Sequence, residues 1–244
     1  MVQRRADSLD RSKFYGVPIA GFEEAGRQQL IFLLMSGLEP NSKLVDLGCG
    51  VLRGGYWIIH FLDPGCYHGI ESHEQRLEIG RRTILEPSTL EAKRPRFDTN
   101  TNFDTGVFGV QFDIFFAYSI WTHASKHQIE RMLDNFLRDS APGAVFLTSI
   151  LPADWRNPDY QGTRWFGTSH ESDVAGCIHH DLQWVGRACR DRNLRMRKVG
   201  IERDGQTWLL ICRDQDRNLL FRTIWAESRW RRLAQRLRRR LRSA

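Results

Sequence analysis

The sequence predicts an α/β fold, a mostly parallel seven-stranded sheet with helices on both faces and a terminal β-hairpin. Three observations predict it. Short apolar runs alternate with helix-period segments from Lys43 onward. The first such run ends in Asp46-Leu47-Gly48-Cys49-Gly50, the pattern of a buried strand feeding a tight turn. Asp204-Gly205 then joins the last two strand-like runs, a hairpin signal. At 244 residues the chain holds one such domain with modest additions and can bury a sizeable core.

Taken in order, residues 1–13 are polar and read as a frayed end. Phe14 to Leu38 carries a helical pattern through Phe22, Leu30 and Leu34, ending near Ser36-Gly37. Strand one is Lys43 to Leu47, with Gly54 to Leu62 as its crossover helix. Strand two is Cys66 to Glu71, and the next helix is His73 to Ile84. Pro95 to Phe103 holds strand three, a poor one around Thr99-Asn100-Thr101. Phe112 to Tyr118 is the uninterrupted apolar run of a central parallel strand. Ser125 and Gln128 form a capping box for a helix running to about Arg138. Pro142-Gly143 turns the chain into strand five, Ala144 to Ile150. A long irregular stretch, Leu151 to His170, precedes a helix expected over Glu171 to Arg190. The hairpin strands are Leu194 to Glu202 and Gln206 to Arg213. This divides the chain into an N-terminal cap region (1–40), a ligand-binding domain (41–216) and a basic tail (217–244).

The formal net charge of +7 is a property of the tail. From Arg217 to Ala244 there are ten arginines and one acid, so the other 216 residues sum to about −2. The longest apolar run, Leu30 to Met35, is six residues, far short of a membrane span, and no secretory h-region follows Met1. Cys49, Cys66, Cys177, Cys189 and Cys212 are scattered without a C-x-x-C, which suits reduced thiols in a cytoplasmic protein.

Two carboxylates frame the first turn. Asp46 ends strand one, and Glu71 ends strand two, one βα unit later, where an acid can hydrogen-bond both hydroxyls of a ribose. A phosphate ligand fits poorly. The dinucleotide fingerprint needs glycine where Arg53 stands, no P-loop pattern occurs, and Asp46 repels a pyrophosphate while attracting an ammonium or sulfonium ion. Asp46-Leu47-Gly48-Cys49-Gly50 with Glu71 resembles the cofactor motifs of class I S-adenosylmethionine-dependent methyltransferases. The resemblance implies a Rossmann-like fold and S-adenosyl-L-methionine as cofactor. The family's common third glycine would fall at Leu52, and Gly54-Gly55 follow at once to keep the turn free.

Ligands of an open parallel sheet collect outside the carboxyl ends of its strands. Those ends add Ser72, Phe103, Asp104, Tyr118 and Ser119 to the expected cofactor contacts. Asp104 is read either as accepting from an adenine amino group or as part of an Asp-Thr-Gly turn, with Phe103 bordering the ring. The segment Tyr118-Ser119-Ile120-Trp121-Thr122-His123 resembles the Ser-x-Phe-Thr-His motif of a bacterial branch of these enzymes, many of which methylate hydroxyls of sugars or small molecules. Trp121 stands for the usual aromatic. The resemblance spans roughly Gly21 to Arg213. It implies O-methylation of a sugar, glycan or other small-molecule hydroxyl.

An alcohol attacks a methyl group poorly unless a base takes its proton, and histidine is suited to that at neutral pH. His123 is the candidate base; the other reading is a helix-start histidine bonded to backbone. Trp121, Tyr160, Trp165 and His180 are expected to wall the acceptor site, with Trp155, His170 and His179 nearby. His179-His180 lack a spaced partner, so no metal site is expected. In the tail, Ile224, Trp230, Leu233, Leu237 and Leu241 form a narrow apolar stripe among arginines, suited to peripheral contact with an anionic membrane. The alternative is an RNA-directed methyltransferase or nucleic-acid-binding protein recruited by that tail. Against it, the body lacks both a basic excess and an Asn/Asp-Pro-Pro-aromatic signature.

Overall fold

The computed structural model describes residues 2–10, 15–169, 172, 174–201 and 205–220. Its elements in chain order are α1 (Val2–Asp7), α2 (Phe22–Met35), β1 (Leu44–Leu47), α3 (Gly55–Phe61), β2 (Tyr67–Ile70), α4 (Glu74–Ile79), α5 (Pro87–Lys93), β3 (Arg96–Asp98), β4 (Phe112–Ala117), α6 (Lys126–Asp139), β5 (Ser140–Ile150), α7 (Leu182–Arg190), β6 (Leu194–Ile201) and β7 (Thr207–Arg213). One seven-stranded sheet has the order β3-β2-β1-β4-β5-β7-β6. The pairings of β1 through β5 are parallel, and β7 runs antiparallel to both β5 and β6. The strand order reverses beside β1, between β2 and β4, which is where an open α/β sheet leaves a crevice.

The continuous apolar runs of the central strands supply both faces, because successive side chains alternate across the pleat. Val45, Leu47, Phe115 and Phe146 are buried on one face with Ile129, Met132, Leu133 and Phe136 of α6 and Val185 of α7. Leu44, Ile114, Phe116 and Leu147 are buried on the other with Leu33 of α2 and Ile58 and Ile59 of α3. Ser125 caps α6 as the sequence requires, with both arms of the capping box formed.

Four expectations need correction. The N-terminus is not frayed within residues 2–10, because Val2, Ala6 and Leu9 are buried with Phe22, Val51 and Ile84. Gln3 ties this helix to the next, donating to the Ile19 carbonyl and accepting from the Glu23 amide. α5 had no counterpart in the sequence reading; Pro87 at its first turn is the signal that marks it. β5 starts at Ser140 and carries Pro142-Gly143 in a register shift between Phe112 and Ile114 of β4. Last, the helix expected from Glu171 begins only at Leu182. Gly176 holds φ +132°, and Asp181 caps the helix by accepting from the Gln183 and Trp184 amides. Of the hairpin turn, Asp204 lies outside the described residues, as do His170 and the tail from 221 onward.

Candidate active site

The carboxyl ends of β1, β2 and β4 and the segment after β3 open on one cavity of about 1180 Å³. Asp46 is the penultimate residue of β1 and is buried, with the Tyr67 hydroxyl donating to its Oδ2 at 2.7 Å. Burial pushes the Asp46 carboxyl up to about 7; the Tyr67 hydrogen bond opposes this and the neighbouring Glu71 adds to it. A cationic ligand would restore the ionised form. Gly48 and Gly50 follow in left-handed conformations, φ +75° and +55°, and a Cβ on Gly48 would strike Ile120 Cδ1. Leu52, where the resembled family has its third glycine, takes φ +62°, so the turn keeps the glycine conformation without the glycine. Gly54 is helical instead, and its bareness serves the close approach of the Gln29 side chain.

Glu71 is placed by main chain. Its Oε2 accepts from the Gly50 amide and its Oε1 from the His73 amide, both at 2.9 Å. Each oxygen keeps a second lone pair, and the residue lines the cavity. Cys49, Ser72, Phe103, Tyr118 and Ser119 line the same cavity. Ser119 holds φ +57° because its amide donates to Ser149 Oγ at 2.7 Å, and Ser149 in turn donates to Gln206.

His123 also lines the cavity, and its ring is bonded to backbone as one of its two sequence readings expected. Its Nδ1 lies 2.8 Å from the Phe166 carbonyl, which only accepts. The neutral ring therefore carries its proton on Nδ1 and presents a bare Nε2, which stands 3.9 Å from Cys177 Sγ. Burial lowers the His123 pKa; the Phe166 and Gly176 carbonyls oppose this, and Arg76 adds to the lowering. Phe103, Trp165 and His123 form a column of stacked rings, with centroid separations of 6.3 and 5.4 Å.

The irregular segment 151–181 holds this turn in place. The Ile178 amide donates to the Thr122 carbonyl and the Phe166 amide to the His123 carbonyl, each at 2.8 Å. His180 Nε2 donates to the Ala124 carbonyl at 2.9 Å. Three consecutive carbonyls around the candidate base are thus fixed from one side.

Of the expected acceptor wall, only Trp165 borders the cavity. His180 is fully buried and clamps Ala124 instead. Trp121 points into the core against Phe146, 5.6 Å between ring centroids. Tyr160 donates its hydroxyl to the Arg164 carbonyl within its own loop. Asp104 also faces away: it accepts from the Gly106 amide and pairs with Arg138, so the turn reading holds for it. Asn100 and Thr101 take its place at the cavity edge. The sequence reading missed Arg76 and Gln206 and passed over Arg53 as no more than a missing glycine. From the cap region expected over 1–40, Tyr15, Gly16, Val17, Pro18 and Ala20 line the cavity together with Gln28 and Phe32 of α2. Among the described residues no group of three His, Cys, Asp or Glu side chains is placed to hold a metal, and no helix is long and apolar enough to cross a membrane.

No family model and no curated protein matches the sequence. Solved structures do match. A magnesium protoporphyrin IX methyltransferase from Synechocystis PCC 6803, with bound S-adenosylmethionine, superposes with a TM-score of 0.57 at 14% identity, covering 87% of this chain and 89% of its own. The glycopeptide N-methyltransferase MtfA gives 0.56 at 11% identity, over 77% and 90%. The chain has the class I S-adenosylmethionine-dependent methyltransferase fold. An O-methyltransferase family protein from Burkholderia thailandensis shares this methyltransferase fold, with a TM-score of 0.52 at 15% identity over 80% of this chain and 59% of that one. The names of these neighbours span a porphyrin, a glycopeptide and an O-methyltransferase family, so the shared fold does not by itself fix an acceptor.

Proposed function

We propose that the protein transfers a methyl group from S-adenosyl-L-methionine to a hydroxyl of a sugar, glycan or other small molecule, with His123 as general base. The observation that carries the reading is that Asp46, the Gly48–Gly50 turn, Glu71 and His123, whose Nδ1 is tied to the Phe166 carbonyl, line one cavity. The residues fit this cofactor: Glu71 suits ribose hydroxyls, the bare turn admits a close ligand, and Asp46 suits a cation. When bound, the cofactor supplies an electrophilic methyl on a sulfonium whose leaving group is a neutral thioether. The chain's own part is to hold the acceptor oxygen in line with that methyl and to take its proton at Nε2 of His123. The Phe166 carbonyl fixes the tautomer for that step, and the stacked Trp165 ring holds the imidazole plane.

Calorimetric titration with S-adenosylhomocysteine and with NAD tests the first half of the reading. Micromolar binding of the former and none of the latter is expected; the reverse would overturn it. An acceptor screen tests the second half. The arginine-rich tail favours an anionic partner, and we propose a membrane surface ahead of nucleic acid because the rest of the chain carries no basic excess. Leu220 packs into the core, so the informative truncation removes only 221–244. Retained methylation of soluble acceptors with lost vesicle binding supports this reading. Lost nucleic-acid binding and lost RNA methylation would favour the alternative.

A further inference from the structure

Asp46 and Glu71 suit the cations and ribose of the nucleoside. The other charged side chains lining the cavity are Glu24, Arg53 and Arg76, beside the neutral His123. Arg53 lies over the Tyr118 ring, 5.8 Å from its centroid, at the strand-end side of the cavity. Arg76 lies elsewhere. It projects from α4, and its Nη1 is 3.2 Å from where a Cβ on Gly16 would stand, while its Nη2 donates to the Thr168 carbonyl at 3.4 Å. Gly16, Thr168 and His123 all border the cavity, so this guanidinium stands where the cap region, the irregular segment and the candidate base meet.

We infer that the methyl acceptor carries an anionic group, a carboxylate or a phosphate, and that Arg76 receives it on the His123 side of the cavity. The inference rests on the methyl-transfer reading of this site and names its substrate class. A guanidinium presents a planar fork of donors matched to such oxyanions. Burial lowers the Arg76 pKa and the charge of Glu71 opposes this, so the guanidinium stands within the cavity wall and not in open solvent. Without that cation, Glu71 would repel an acidic acceptor from the place where its hydroxyl must approach Nε2. Anchoring the acid on Arg76 leaves the hydroxyl end of the same molecule beside His123, which is the alignment in-line transfer requires.

The test uses full-length protein loaded with S-adenosylhomocysteine in chloride-free buffer, titrated calorimetrically with inorganic phosphate and separately with benzoate. Wild-type protein is expected to bind at least one of the two saturably, with a millimolar Kd. Binding weakens by about tenfold or more in Arg76→Gln and less in Arg76→Lys, which keeps the charge but not the fork. Affinity for S-adenosylhomocysteine is expected to change by less than about threefold, well short of the effect on the anion. Three results would overturn the proposal. The loaded wild type could bind neither anion, or Arg76→Gln could bind both as tightly as wild type, leaving Arg76 a mere tie to Thr168. Alternatively, Arg76→Gln could weaken S-adenosylhomocysteine as much as the anions, marking its partner as the cofactor's own carboxylate. If Arg76→Gln fails to fold, Arg76→Lys decides alone, because unchanged anion and cofactor binding in it removes the case for a fork. Failure of the wild type to bind S-adenosylhomocysteine at all would strike the methyl-transfer reading instead.

Discussion

One wall of the cavity is built from main chain and buried acids, the other from rings and loop carbonyls. On the first, parallel ladders of β1 with β2 and β4 fix Asp46, Gly48 and Glu71, and amides of the turn itself hold the Glu71 carboxylate. On the second, the described residues of segment 151–181 carry only isolated bridges and lean on the turn Thr122 to Ala124 through hydrogen bonds to its carbonyls and to the His123 ring. A wall of backbone leaves no latitude for substitution. A wall of stacked rings and loop backbone can change its lining while the sheet stays as it is.

The comparison breaks most visibly at His123, which belongs to the second wall chemically and to the first by position. His123→Gln is expected to lower kcat by about 10²–10⁴-fold, the usual worth of a positioned base, while S-adenosylhomocysteine binds as before. Stopped-assay turnover beside calorimetry checks this, and unchanged kcat in the folded variant removes His123 as the base. Gly48→Ala should do the opposite. The added Cβ meets Ile120 in a residue already at φ +75°, so cofactor affinity falls by about 10²-fold and stability by about 1–3 kcal/mol. Pairing it with Ile120→Ala relieves the collision but not the backbone strain, and so recovers only part of the loss.

A smaller effect sharpens the electrostatics of the first wall. With the Asp46 carboxyl near 7 in the ligand-free protein, a cationic ligand binds the ionised form, so binding releases a proton at neutral pH. Affinity for S-adenosylmethionine should rise by about tenfold per pH unit up to about 7 and level off above it. The sign for stability is the reverse. A carboxyl whose folded pKa lies above its unfolded value of 3.8 favours the fold while protonated, and that contribution is lost as pH rises through about 7. Ligand-free protein should therefore lose thermal stability as pH rises from about 4 to about 7 and level off above that, and Asp46→Asn should flatten both profiles. Titration in two buffers of different ionisation enthalpy measures the released proton directly.

How much was legible in the sequence follows the same division. The strands, the acid-glycine-acid constellation and the α6 cap could be read because each is a local pattern with one structural solution. The acceptor wall could not, since side-chain direction there depends on how a turn winds. Residues Ser119 to Ala124 wind with helical spacing, the His123 and Ala124 amides both donating to the Ile120 carbonyl. Ile120 and His123 therefore face the cavity, while Trp121 and Ala124 face the core. Trp121 and His180 bear chemistry-rich side chains but are spent on packing and on clamping a carbonyl. Arg76 is one of several charges in the segment His73 to Ile84, and only the fold brings Gly16 and Thr168 to it.

The smallest effect concerns Leu52, where the sequence departs from the resembled pattern and the backbone does not. Its φ of +62° strains a leucine by roughly 1–2 kcal/mol, and the fully buried side chain contributes roughly 2–3 kcal/mol in return. Both terms vanish in Leu52→Gly, whereas Leu52→Ala loses the packing and keeps the strain. The glycine variant should thus be the more stable of the two by about 1 kcal/mol, against the usual order in which alanine stiffens the chain. Denaturant midpoints of the two variants measure that difference. An alanine variant as stable as the glycine one would mean that the turn relaxes out of the left-handed region once the leucine is gone. In that case the conformation belongs to the buried side chain and not to the ligand-binding turn.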